Sequence, residues 1–275
     1  MSYETVILEK ENGVATLIMN APKTKNSFSE PLCKDLNAAL DEVNEDDSIN
    51  VLIITGSGNA FNSGGDMKET LEDAELLFKG GAFRDTKMSR AIREEAISPI
   101  TLTNKLYNLP KPTIAAINGY AIGAGYSFAL AADIRLTADD AKVNMTFVKR
   151  GFVPDGGGTF FLTRLAGIAV ACEVAFTGDF IDAEDAMRMG LTNRVVPKEN
   201  LMKEAKAMAQ KIADNPTLAV RMIKQTLEQA LFERSHMAQA RLEQRTNRVL
   251  FETEDSVEGI KSFMEKREPK YTGKW

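Results

Sequence analysis

Two glycine-rich turns carry the chemistry that can be expected of this chain: Phe61-Asn62-Ser63-Gly64-Gly65-Asp66 and Asn118-Gly119-Tyr120-Ala121-Ile122-Gly123-Ala124-Gly125. Each follows a run that reads as a buried strand, 51–55 and 113–117, and each opens toward a helical pattern. Small residues at 64, 65, 123 and 125 let a ligand come close to the backbone. Two such turns can aim two backbone N–H groups at one point, which stabilises an oxyanion without help from any side chain. A third glycine run, Gly156-Gly157-Gly158, opens a helix expected to reach Leu165.

Other uses of glycine loops fit poorly. A dinucleotide fingerprint needs G-x-G-x-x-G, and after Gly123-Ala124-Gly125 the third glycine position holds Phe128. A phosphate-binding P-loop needs Gly-Lys-Ser or Gly-Lys-Thr, and the chain has neither. Gly125-Tyr126-Ser127-Phe128-Ala129 imitates a nucleophile elbow but lacks its last glycine. The single histidine, His236, lies in a polar helical stretch, so a Ser-His-Asp triad or a His-based metal site has little support.

The turns need a scaffold, and its elements are legible. Residues 5–10 and 14–19 flank Glu11-Asn12-Gly13, a hairpin signal. Ser29 can cap a helix with Pro31 in its first turn, and Leu32, Leu36, Leu40 and Val43 then form one apolar stripe. Residues 69–108 are the least regular part, with helical pieces around 73–78 and 86–107. They read either as a solvated helix with a loop or as a flexible wall over a pocket. From 113 the strand–turn–helix pattern repeats, with strands at 134–137, 143–147 and 192–196 and a short helix at 183–189. Helical periodicity fills 201–213, 217–232 and 238–251. The organisation is an α/β core over residues 1–197 and a helical C-terminal region over 198–275.

Composition sets the outer limits. Over 275 residues, 44% are apolar, so a large core is available and disorder is not expected. The net charge of −5 argues against broad nucleic-acid binding. Pro112 to Ala132 carries no charge, yet Asn118-Gly119 breaks it with a turn, so strand, turn and buried helix are expected rather than a membrane span. Cys33 and Cys172 stand far apart in unlike contexts and form neither a disulfide framework nor a metal motif. The N-terminus reads as a first strand rather than a signal peptide, and the last residues are not a peroxisomal tail, so a cytoplasmic protein is expected.

The order of these motifs resembles the enoyl-CoA hydratase/isomerase (crotonase) family along nearly the whole chain. Ala21-Pro22-Lys23-Thr24-Lys25-Asn26-Ser27-Phe28 is similar to the family's first CoA-contacting loop. The first glycine turn matches its first oxyanion loop, with the amide at Gly65, and Gly123-Ala124-Gly125 matches the second, with the amide at Ala124. Asp133 matches the family's Ala-Asp step. Phe152-Val153-Pro154-Asp155-Gly156-Gly157-Gly158-Thr159 matches its third signature turn. Thr177-Gly178, Gly190-Leu191 and Val195-Val196-Pro197 follow in family order. Near the end, Glu258-Gly259-Ile260 and Phe263-Met264-Glu265-Lys266-Arg267 match a C-terminal helix whose Phe and Lys help hold CoA, often from a neighbouring subunit.

The resemblance implies a ββα spiral core, an acyl-CoA thioester as substrate, no metal or redox cofactor, CoA arriving as part of the substrate, and a homotrimer or dimer of trimers. It places Lys25, Ser27, Ser63, Gly64, Asp66, Met67, Gly123, Phe263 and Lys266 at the CoA thioester, with Lys25, Lys68 and Lys266 as phosphate partners. Asp66 is expected to hold its turn rather than to catalyse. Hydratases of the family carry two glutamates where this chain has Ser127 and Phe147, so no evident group activates water. Asp155 is the acid that remains. Family members with an acid here include enoyl-CoA isomerases, and the string Val-Pro-Asp-Gly-Gly-Gly-Thr looks most like the 1,2-epoxyphenylacetyl-CoA isomerases. An ordinary Asp, with a pKa of about 3.9, is ionised and able to act as a base unless burial raises it. Asp155 can also cap the helix opened by the glycines. The expected activity is double-bond isomerisation through a thioester enolate. A hydratase with a non-standard acid, or a non-catalytic CoA- or RNA-binding relative, is the alternative.

Overall fold

The computed structural model describes residues 3–87, 89 and 97–273. Strands β1 (Val6–Glu11) and β2 (Val14–Met19) form the expected antiparallel hairpin, closed at Asn12-Gly13. Helix α1 (Glu30–Glu45) starts after Ser29 with Pro31 in its first turn, but the Ser29 hydroxyl makes no capping bond. Its stripe of Leu32, Leu36, Leu40 and Val43 is fully buried, and the helix packs against β1 and β2.

The chain then lays down strands in pairs. These are β3 (Val51–Gly56) with β4 (Ala60–Asn62), β5 (Thr113–Ile117) with β6 (Tyr120–Ile122), and β7 (Ile134–Ala138) with β8 (Lys142–Asn144). The first member of each pair joins a six-stranded sheet of order β1-β2-β3-β5-β7-β10, parallel beyond the hairpin. The second member joins a four-stranded sheet of order β4-β6-β8-β9. Here β9 is Ile181–Asp182, antiparallel to β8, and β10 is Arg194–Val196. Each repeat therefore advances both sheets by one strand and ends in a helix, which is the ββα spiral that the resemblance implied. Strands β3 and β5 are buried at every position, as parallel strands covered on both faces must be.

The helices of the repeats are α2 (Met67–Phe78), α3 (Pro99–Tyr107), α4 (Ala124–Leu130) and α5 (Gly158–Thr177), followed by the short α6 (Ala183–Arg188). The C-terminal set is α7 (Leu201–Ala213), α8 (Thr217–Ala230), α9 (His236–Leu250) and α10 (Glu254–Glu265). Helix α7 lies across β2, β3, β5 and β7 and buries Leu201, Ala205 and Ala209. Arg164 on α5 stacks 3.5 Å over the Phe160 ring, and Phe232, just past α8, stacks on the same ring.

Several expectations are corrected. The strand expected at 143–147 stops at Asn144, and Phe147 lies in a 3-10 turn, Thr146–Arg150. The helix from Gly158 passes Leu165 and runs to Thr177, broken only at Gly167, which has φ 75° and ψ 164°. Part of the piece expected at 86–107 falls outside the described residues; Lys87 and Ser89 are helical, and after Ile97 and Ser98 a helix begins at Pro99. The start is fixed by a reciprocal pair in which Ser98 Oγ accepts from the Thr101 N–H and Thr101 Oγ1 accepts from the Ser98 N–H. Helix α2 starts at Met67, earlier than expected, and exposes Leu71 and Phe78. The uncharged stretch from Pro112 is β5, β6 and α4, and α4 is buried throughout. Among the described helices, α5 is the one long and apolar enough to cross a membrane by length and composition.

Candidate active site

The first glycine turn is held from below by Asn62. Its side chain is fully buried, and its Oδ1 accepts the Gly64 N–H at 2.8 Å. The loop at 21–28 zips onto the same turn. The Phe28 N–H donates to the Gly64 carbonyl at 2.9 Å, the Ser63 N–H to the Lys25 carbonyl at 3.1 Å, and Ser63 Oγ to the Thr24 carbonyl. Asn26, also fully buried, ties that loop to β4 by accepting from the Ala21 N–H and donating to the Ser57 and Ala60 carbonyls. Asp66 caps α2, accepting the Lys68 N–H at 2.8 Å.

The second turn packs directly on the first. A Cβ at Gly64 would stand 2.6 Å from the Ile122 carbonyl oxygen and 3.5 Å from the Ala124 nitrogen, with the backbone at φ 91°. A Cβ at Gly125 would stand 2.4 Å from the Asn62 carbonyl oxygen. Both positions exclude any side chain, so these glycines set the distance between the turns. The Gly123 N–H donates to Asn144, and the Tyr126 and Ser127 N–H groups return to the Gly123 carbonyl. Ala124 is the first residue of α4, so its N–H has no acceptor one turn back. Among the described residues, neither the Gly65 nor the Ala124 N–H is engaged by a protein acceptor. Gly65 is exposed, and nothing lies within 4 Å of the place a Cβ would take there.

The third turn closes on the second from the other side. A Cβ at Gly158 would lie 2.7 Å from Ser127 Oγ and 3.1 Å from Pro154 Cβ, and one at Gly156 would meet Ser127 and Thr103 at 3.3 Å. Ser127 is fully buried, and its hydroxyl turns back to the Gly123 carbonyl at 3.4 Å and to Met145 Sδ. Phe147 faces the second turn, its ring 3.7 Å from where a Gly123 Cβ would be. The two positions that the resemblance matches to hydratase glutamates thus lie beside the second turn, one filled by a back-bonded hydroxyl and one by a ring.

Asp155 stands at the open edge of this cluster. Its surface reaches solvent, yet the surrounding protein is dense enough that burial pushes its carboxyl above the ordinary value, offset in part by its own backbone N–H. The capping alternative fails: the residue before α5 is Gly157, no side chain caps the helix, and the Gly158 N–H goes to the Asp155 carbonyl oxygen rather than its carboxylate.

The structure brings Lys25, Ser27, Ser63, Gly64, Asp66, Met67 and Gly123 around the paired turns. Lys25 has a left-handed backbone and sets its ammonium 5.5 Å from the Tyr120 ring centroid. Lys68 is exposed in the first turn of α2. Phe263 and Lys266 lie apart, exposed at the end of α10, with no hydrogen bond or ring contact to the paired turns among the described residues. Asn26 and Asn62 were not singled out from the sequence, although both hold the turns in place. No group of three or more His, Cys, Asp or Glu side chains among the described residues could hold a metal ion. A cavity of about 780 Å³ lies elsewhere, between the C-terminal tail, the loop after α1 and the start of α8.

Comparison with known proteins places the chain in a family. The family model for enoyl-CoA hydratase/isomerase matches residues 9–274. A 1,2-epoxyphenylacetyl-CoA isomerase of Escherichia coli is 37% identical over 272 residues, covering 98% of this chain and 99% of its own. A crotonyl-CoA hydratase of Syntrophomonas wolfei is 34% identical over 275 residues, all of both chains. The crystal structure of an enoyl-CoA hydratase from Bacillus anthracis superposes with a TM-score of 0.88 at 32% identity, over 98% of this chain and all of that one. The spiral is therefore the crotonase fold, and the chain is an enzyme that belongs to the enoyl-CoA hydratase/isomerase family.

Proposed function

We propose that this enzyme is an enoyl-CoA isomerase that moves a double bond through a thioester enolate. One observation carries the reading: two backbone amides on turns pressed together are unengaged, and the third turn, packed on the second at Ser127, carries Asp155, whose affinity for protons is raised by burial. In the proposed step Asp155 takes a proton from the carbon next to the thioester carbonyl. The electron pair moves onto the carbonyl oxygen, and the Gly65 and Ala124 N–H groups stabilise that charge. Asp155 then returns the proton to the far carbon of the allylic system, so nothing is gained or lost. A raised pKa suits a group that must both accept and return a proton. Exposed Phe152 and Val153 flank Asp155 and offer apolar surface to an acyl chain.

CoA enters as part of the substrate, with no further cofactor or metal. Its phosphates are proposed to meet Lys25, Lys68 and, from the end of α10, Lys266 beside Phe263. Ile168 and Phe176 on α5 and Phe263 and Met264 on α10 are exposed in the single chain. That apolar surface supports a homotrimer or dimer of trimers, the net charge of −5 speaks against nucleic acid as a partner, and the cytoplasm, with no membrane partner, is the proposed setting. Hydration is the rival, favoured by the hydratases among the relatives and opposed by the lack of an acid at Ser127 and Phe147. The test is a panel of 3-enoyl, 2-enoyl, dienoyl and epoxy-ring CoA thioesters read by product mass. Turnover with unchanged mass is the expected result. Gain of one water as the main reaction would overturn the proposal.

A further inference from the structure

The last described residues do not trail away from the fold. After α10 the chain reverses at Lys266, which takes a left-handed conformation with φ 54° and ψ 44°. It then runs back along the helix it has just left. Arg267 makes a bidentate pair with Glu258, at 2.6 and 2.8 Å, and reaches Glu265 through Nε at 2.6 Å. Glu258 also accepts the Lys270 N–H at 2.7 Å. One turn earlier Asp255, only 5% exposed, accepts the Thr272 N–H at 2.7 Å and the Gly273 N–H at 3.0 Å. The Tyr271 hydroxyl lies 3.3 Å from where a Cβ at Gly259 would stand. Beyond it, Gly273 reaches Thr217 at the start of α8.

Three backbone amides of the tail are thus held by two carboxylates of α10, spaced so that both face the returning chain. Charged acceptors hold amides more strongly than neutral ones do, and the forked Arg267 pair adds direction. The same pairing has a second effect. Glu265, the neighbour of Lys266, is drawn to Arg267, so the Lys266 ammonium has no ion-pair partner among the described residues. A side chain on a reversed, pinned backbone starts from a fixed direction, and a ligand that meets it spends less on ordering it.

We infer that residues 267–273 form a strap, pinned by Asp255 and Glu258, that fixes the direction of Lys266 and thereby strengthens binding of the nucleotide half of a CoA thioester. The inference rests on the proposed CoA role of the α10 end. Asp255, Glu258 and Arg267 are positioning residues, because none of them need touch the ligand.

The charge of Glu258 lets the idea be separated from simple electrostatics. Glu258→Gln removes a negative charge near the expected phosphates, so charge alone would tighten binding of a polyanion. Loss of the strap would weaken it. The experiment compares Glu258→Gln, Asp255→Asn and, as a marker for the underlying reading, Lys266→Ala in the full chain. Each is measured with an enoyl-CoA that the enzyme turns over and with the matching enoyl-pantetheine, which lacks the nucleotide. Both strap variants should raise KM for the CoA thioester about fivefold with kcat unchanged, the signature of lost uniform binding, and leave KM for the pantetheine thioester where it was. If Lys266→Ala shows that split and the strap variants do not, the strap is wrong while the CoA reading stands. If Lys266→Ala shows no split, the CoA reading of α10 fails and the inference fails with it. A fall in melting temperature without any change in KM would make the strap a stabilising device only. Should one strap variant not fold, the other carries the same test.

Discussion

Replacing Asp155 by Asn is the sharpest perturbation, because it removes the basic carboxylate and keeps its shape. The structure gives separate expectations for rate and stability. For rate, losing a positioned general base costs about 10²–10⁴ in turnover. For stability, the carboxylate caps nothing: α5 opens at Gly157 without a side-chain cap. A lost cap would remove about 1 kcal/mol and, in a chain of this size, about 2 °C of melting temperature, and that loss is not expected. The shift has a sign of its own. Burial raises the Asp155 pKa, so the folded state favours the protonated acid. The stability this brings is complete below the unfolded pKa and is lost as pH rises through the folded one. At neutral pH the wild type therefore carries a small penalty that Asn relieves, and Asp155→Asn should melt at the same temperature or slightly higher. Wild-type kcat/KM should rise with pH through the raised pKa, while the residual activity of Asp155→Asn should show no such rise. The assay is turnover of the best thioester from the mass panel across pH 4 to 8, with thermal melts beside it. Near-full activity of the variant would leave the proposed isomerisation without a base. Activity and melting temperature falling together would mean that the residue is structural after all.

Ser127→Ala should stay within about tenfold of wild-type turnover, since no proton transfer depends on a hydroxyl bonded back to Gly123; a thousandfold loss in a folded variant would show that the mechanism is misassigned. Gly64→Ala and Gly65→Ala should differ in kind. The first places a Cβ 2.6 Å from the Ile122 carbonyl oxygen at positive φ and should lower the melting temperature and the activity together, whereas the second meets no protein atom and should stay folded. Equal melting of the two would mean that the turns are not pressed together as described. Lys111 is 1% exposed, with Nζ on the Val43 and Asp46 carbonyls, and burial with Arg221 nearby lowers its pKa from 10.5 to about 8. With the folded pKa below the unfolded one, the buried charge weighs on the fold below about 8. Denaturant melts of wild type against Lys111→Met should show the wild type gaining on the order of 3 kcal/mol relative to the variant between pH 8 and 10.5, and a pH-independent difference would refute the shift.

What could be read from the sequence, and what could not, follows the range of the interactions involved. The turns were legible because glycine announces them: wherever Gly64 and Gly125 lie in the fold, their missing side chains are written in the chain. The apolar stripe of α1 and the longer strands β1, β2, β3, β5 and β7 were legible for the same reason, as periodicity is local, whereas β4, β6 and β9, two or three residues each, are too short to show a period. Asn26 and Asn62 were not. Asn26 meets carbonyls 31 and 34 residues away, and Asn62 reaches Met19. Nothing in their flanks distinguishes a buried asparagine from a surface one. Lys111 and Lys224 have equally uninformative flanks, yet the fold brings the Val43 and Asp46 carbonyls to the first and Asp133, at 3.0 Å, to the second. The start of α3 was missed because its reciprocal cap closes on Thr101, where a glutamate or glutamine is the usual sign. The same division runs through the site. In the proposed mechanism the charge-stabilising half is backbone, so the sequence shows where that half is but not which reaction it serves, since paired amides serve any enolate. On the proposed reading the reaction turns on the side chains at Ser127, Phe147 and Asp155, and of these it is Asp155 whose chemistry the structure alters, since burial makes an ordinary acid hold its proton more tightly.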